Sequence, residues 1–111
     1  MISSPGKSVV VHSAAADLSD FRGLVERCMP EQGCVEVQND LSGKEHPWHQ
    51  HDTDETIVVL SGQLLFYWEG GEAVCKSGDV IELPKGVRHG SKASFGDVQY
   101  LISFANVDFA R

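Results

Sequence analysis

The spacing of apolar positions changes near residue 33. Ahead of that point a β-branched run, Val9, Val10 and Val11, precedes Asp17 to Arg27, where Leu18, Phe21, Leu24 and Val25 recur at helical spacing behind Asp17, a residue suited to capping a helix start. The spacing predicts a helix of about two to three turns, with Gly23 as a weak point in its middle. Pro30 and Gly33 close this stretch. From Cys34 onward short alternating runs take over, separated by turn signals roughly every eight to twelve residues, as in a sandwich or barrel. The predicted strands are 34–41, 48–51, 56–60, 64–68, 73–76, 80–83, 88–93 and 98–104. Ser61-Gly62, Glu69-Gly70-Gly71, Ser77-Gly78-Asp79, Pro84-Lys85-Gly86 and Phe95-Gly96-Asp97 punctuate them with residues that tight connections favour. The expectation is an all-β fold in two parts: a strand and short helix in 1–33, and a β-barrel over 34–111.

Composition narrows the classes without changing that picture. A chain of 111 residues with 41% apolar and 23% charged residues has the length and make-up of one ordinary globular domain. A formal charge of -7 with no basic stripe excludes a phosphate-neutralising surface, so nucleic acid is not an expected partner. No apolar run approaches the ~20 residues of a membrane-spanning helix, and the first residues lack the charged head and apolar run of a signal peptide, so a cytoplasmic location is expected. Cys28, Cys34 and Cys75 form an odd set without C-x-x-C spacing, which argues against a disulfide framework or a thiolate zinc site and for reduced thiols with packing roles.

Chemistry concentrates in the histidines. His49 and His51 stand two residues apart, so on one strand both imidazoles leave the same face. Glu55 follows where the chain can curve back, and His89 comes just after the Pro84-x-Gly86 turn. Imidazoles plus one carboxylate suit a divalent ion such as iron, manganese, nickel, zinc or copper. A histidine pair by itself is more often solvated or hydrogen-bonded than metal-bound, and His12 and His46 read as surface or rim residues.

The spacing adds specificity. Gly43-x5-His49-x-His51-x3-Glu55-x6-Gly62 resembles the first signature of the cupin superfamily, and Gly78-x5-Pro84-x-Gly86-x2-His89 resembles the second. The short segment between them, 63–77, is similar to that of compact single-domain, RmlC-like cupins. The resemblance implies an antiparallel jelly-roll barrel with one metal ion per chain in its mouth, held by His49, His51, Glu55 and His89. One departure is Ala93, where the family often carries an asparagine of structural use; it bears on the loop more than on the metal.

Other candidates are weaker. Asp52 and Asp54 fit a solvated acidic turn better than a role in orienting imidazoles. Glu82, Tyr67 and Tyr100 are the candidates for proton transfer, Glu82 only if the face it shares with Val80 points inward. Leu64, Phe66 and Trp68, or alternatively Leu65 and Tyr67, line the interior, and the same choice holds between Tyr100, Ile102, Phe104 and Leu101, Ser103. Four protein ligands leave an ion open positions for a small polar or anionic organic molecule and for water or dioxygen, so a dioxygenase is the first activity to test. A non-redox isomerase or lyase, and a non-catalytic metal- and ligand-binding module, are the alternatives. Open edge strands and the Val9 to Val11 run also predict a homodimer that covers an edge.

Overall fold

A computed structural model describes residues 8–109. Two antiparallel sheets face each other. The first is five-stranded in the order β1 (Val10–His12), β7 (Val80–Leu83), β4 (Glu55–Ser61), β9 (Val98–Ser103), β2 (Val35–Asp40); the second runs β3 (Glu45–His49), β8 (His89–Lys92), β5 (Gln63–Trp68), β6 (Gly71–Lys76). Each predicted strand is present as a strand, and the architecture is the jelly roll expected. The largest shift is in β3, which begins at Glu45 and ends at His49 rather than spanning 48–51.

Strict alternation explains why the five-stranded sheet is buried on both faces. Ile57, Val59, Ile81, Leu83, Val98 and Tyr100 turn toward the second sheet and meet Leu64, Phe66 and Cys75. Their neighbours Val58, Val80 and Leu101 turn the other way, onto Leu24 and Cys28 of α1 (Phe21–Cys28) and onto Phe109. Burying these side chains stabilises the fold by about 1.5–3 kcal/mol each before conformational entropy is set against it.

The helix starts later than the sequence suggests. Its cap is Asp20, whose carboxylate accepts from the Gly23 backbone N–H at 3.0 Å, while Asp17 is occupied by the backbone and hydroxyl of Ser19. Gly23 therefore sits in the first turn, where a Cβ would collide with the capping carboxylate. Phe21, at the helix start, is exposed rather than part of an apolar face. The Val9 to Val11 run finds its sheet within the same chain, since β1 pairs with β7. Burial pushes the Cys28 and Cys75 thiols up, the latter to about 11, as befits inert core residues, but Cys34 is exposed and has no packing role. No helix among the described residues is long and apolar enough to cross a membrane.

Candidate metal centre

Antiparallel pairing of β3 with β8 sets His49 directly opposite His89. Their ring centroids lie 4.3 Å apart, and His51 joins them at 4.7 Å from His49 and 5.2 Å from His89. His51 does so from the loop after β3, so the convergence comes from the chain's turn and not from two positions on one strand. One ligand nitrogen from each of the three rings falls within 4.8 Å of the others.

Two of the three rings are oriented by backbone. His49 Nδ1 lies 2.6 Å from the Pro47 carbonyl and His89 Nδ1 2.9 Å from that of Val87. A carbonyl only accepts, so each Nδ1 carries the proton and each Nε2 is left with its lone pair. Asp52 is exposed and Asp54 accepts from the Lys85 backbone N–H, so neither orients an imidazole. Behind the cluster the Phe66 ring stacks on His89 at 5.6 Å, in the dry part of the core. Burial holds His89 well below the ordinary imidazole value, at about 4, and lowers His51 as well, with the neighbouring rings adding to both shifts. Neutral imidazoles at pH 7 are the form that binds metal.

Glu55 opens β4 and so comes from the opposite sheet. Its Oε2 lies 3.4 Å from His51 Nε2, which is how it reaches the cluster. Burial, reinforced by the charge of Glu36, pushes its carboxyl up to about 7. A buried carboxylate beside a neutral imidazole is short of positive charge, and a divalent cation supplies it. The three imidazoles therefore fit the predicted ion, while Glu55 meets only His51 and lies outside their converging group.

A cavity of about 200 Å³ opens over these residues, floored by Ile57, Phe66, Tyr100, Ile102 and Phe104. Of the predicted proton-transfer candidates only Tyr100 lies in it. Tyr67 is on the outer face of the second sheet, edge-on to Trp48 at 4.8 Å, and donates to Glu45 at 2.8 Å. Gly90 makes that possible, because a Cβ there would enter the Tyr67 ring. Glu82 shares its face with Val80 as expected, but that face points away from the second sheet, and Glu82 pairs with His12. It lines a separate cavity of about 290 Å³ with Val10 and Asn106, which contains no imidazole cluster.

His46 also lines the histidine cavity. Strict alternation sends positions three apart to opposite faces, but β3 is irregular here: His46 pairs with Ser91 and His49 with His89, so three steps along β3 match two along β8. This bulge returns both imidazoles to the inner face. Pro47, which has no N–H to give a ladder, is the one sequence signal of it. Buried Asp40 was missed too; its Oδ2 receives Tyr100 Oη at 2.6 Å and His46 Nε2 at 3.0 Å. Ala93 closes its loop through the backbone, bonding Gly43 and Lys44, and its methyl lies in the core.

Comparison with known proteins agrees with this geometry. The profile of the family described as "Cupin domain" matches residues 37–102. An uncharacterised protein of Bacillus subtilis (strain 168), YdbB, is 41% identical over 51 residues; the match covers 44% of this chain and 45% of that protein, so the chain spans about half the relative's length. Among solved structures, a DUF861-family protein of Thermotoga maritima superposes with a TM-score of 0.62 at 21% identity, covering 87% of this chain and 99% of the other. The DMSP lyase DddQ of Ruegeria pomeroyi DSS-3 gives 0.59 at 24% identity, covering 67% and 42%. At these identities the structural matches speak for the fold alone.

Proposed function

The chain belongs to the cupin domain family, and from that premise we propose that it is a metal-dependent protein acting on a small polar or anionic organic molecule. The observation that carries this reading is the convergence of the His49, His51 and His89 nitrogens in the lining of an open cavity, with Glu55 against His51. At about 200 Å³ the cavity is below the range of drug-sized sites, which suits a ligand of a few carbons. When bound, a divalent ion supplies Lewis-acid polarisation and, if iron, electrons for dioxygen. The protein's part is to hold His51 and His89 neutral, and to line the ligand's space with the apolar Phe66, Ile57 and Ile102 and the polar His46, Ser91 and Tyr100.

The test is elemental analysis of metal-reconstituted protein against a His49→Ala, His51→Ala double variant. About one equivalent in the wild type and a large loss in the variant is expected, and equal metal in both refutes the site. Turnover of small organic acids is then followed with iron- and zinc-loaded protein. Oxygen consumption with iron only marks a dioxygenase, turnover with zinc and no oxygen uptake marks an isomerase or lyase, and binding without turnover marks a binding module. The lyase reading draws support from the DMSP lyases among proteins of this fold. We also propose a homodimer in which a second copy covers a sheet edge, since Val37 on edge strand β2 and Leu41 just after it are 56% and 62% exposed. A monomer by light scattering at micromolar concentration refutes it.

A further inference from the structure

Asp40 ends β2 at the edge of the five-stranded sheet and is 5% exposed. It ties the two sheets together, because Tyr100 approaches its Oδ2 from β9 and His46 from β3 of the other sheet. Both bonds end on the same oxygen. An ionised carboxylate only accepts, so Tyr100 donates its O–H and His46 its Nε2–H. That arrangement fixes the His46 tautomer, with the proton on Nε2 and the lone pair on Nδ1. Nδ1 has no partner among the described residues, and His46 lines the cavity. His49 and His89 are held the opposite way round, with Nδ1 on a backbone carbonyl and Nε2 free. His46 thus differs from His49 and His89 in which nitrogen is left free.

We propose that His46 is the proton acceptor of this cavity, taking a proton through Nδ1 from a small oxo acid or similar carboxylate seated against His49, His51 and His89, with Asp40 as its positioning residue. The inference rests on the function proposed above. In the step the ligand's C–H bond breaks and its electron pair passes into the adjoining carbonyl as an enolate. The proton forms the Nδ1–H bond, and the resulting imidazolium faces the Asp40 carboxylate that already holds its other nitrogen. No oxidant is required. The substrate class is a carboxylate that also carries a ketone, the acidic C–H being the one next to that ketone.

Two measurements decide it. Imidazole ¹⁵N–¹H spectra of uniformly labelled zinc-reconstituted protein are expected to show His46 as the Nε2–H tautomer, and Asp40→Ala, which leaves no acceptor oxygen there, to remove that preference. A His46 protonated on Nδ1, or a tautomer unmoved in Asp40→Ala, overturns the proposal. The second is exchange of the methyl protons of pyruvate in D₂O, followed by ¹H NMR. The zinc-loaded wild type is expected to exceed free zinc, and His46→Gln, still folded and retaining zinc, to lose on the order of 100-fold or more. No exchange by the zinc-loaded wild type, or undiminished exchange in His46→Gln, overturns it. If His46→Gln does not fold, the wild-type spectrum and Asp40→Ala still decide. Zinc content separates the two readings: a wild type that binds no zinc fails the metal-dependent function, whereas one that binds zinc and exchanges nothing fails the role given to His46.

Discussion

Replacing Glu55 with glutamine is expected to make the metal-free protein more stable at alkaline pH. The carboxyl is pushed from its ordinary 4.5 to about 7 in the folded protein, which therefore holds a proton that the unfolded chain gives up earlier. Unfolding between those values releases a proton, so this group's contribution to stability falls as pH rises from about 4.5 and levels off above about 7. At about 1.4 kcal/mol per pH unit, the interval from 4.5 to about 7 corresponds to about 3 kcal/mol at pH 8, and about 1 kcal/mol is already lost at pH 5. His89, held at about 4, works in the opposite sense: its contribution grows as pH rises from about 4 to its ordinary 6.5. Over most of this range the two slopes oppose each other, so the wild type shows little pH dependence from the pair. Glu55→Gln keeps the shape of the protonated acid and removes only one slope. Urea unfolding of chelator-treated wild type and variant at pH 5 and 8 reads the difference directly. The variant is expected to lead by about 1 kcal/mol at pH 5 and about 3 kcal/mol at pH 8. In saturating zinc the order reverses, because ligand binding favours the native wild type. A difference that is the same at both pH values refutes the claim that a buried, uncompensated carboxylate stands beside the imidazoles.

Gly62→Ala and Gly86→Ala share a nearly equal backbone angle, φ +78° and +81°, but only the first puts a Cβ against backbone, inside contact range of the Asp97 carbonyl and 3.1 Å from Val98 Cα. Gly86→Ala is expected to cost about 1–2 kcal/mol and Gly62→Ala at least about twice that by urea unfolding; equal losses refute the steric reading. Phe66→Ala removes a 1%-exposed ring that also backs His89, and is expected to cost about 3–5 kcal/mol and to weaken zinc binding, checked by urea unfolding and zinc titration. Burial pushes Tyr67 to about 12 and Tyr100 further up, and the chain has two tyrosines, so absorbance near 295 nm is expected to show almost no phenolate at about pH 10.5. One full equivalent there refutes it.

The strands and three of the imidazoles were legible because each depends on a short-range rule: alternation for the sheets, glycine at the turns, and fixed spacing for His49, His51 and His89. What was not legible depends on pairing between distant segments. Which face of β7 meets the second sheet is decided by β4 and β1 on either side of it, so Glu82 looked no less eligible than Tyr100 from the chain alone. The Asp40, His46 and Tyr100 group joins three strands from two sheets, with partners 6 and 60 residues apart in sequence. The helix start was misplaced because Asp17 and Asp20 are equally good caps by composition, and the choice falls to whichever residue places Leu24 and Cys28 on the sheet.

The irregular step in β3 bears on how the chain tolerates changes of length. Between His46 and His49 the strand holds one residue more than its partner needs. A chain lacking Trp48 would run straight there, with the two imidazoles two positions apart, still on the inner face and still opposite Ser91 and His89. A chain with one residue added at the same place would set them four positions apart, so that a larger irregularity would have to form or one imidazole would move two positions along β8 and lose its present partner. Tolerance is thus one-sided at this point: the strand can be shortened by one residue with both pairings kept, but not lengthened by one.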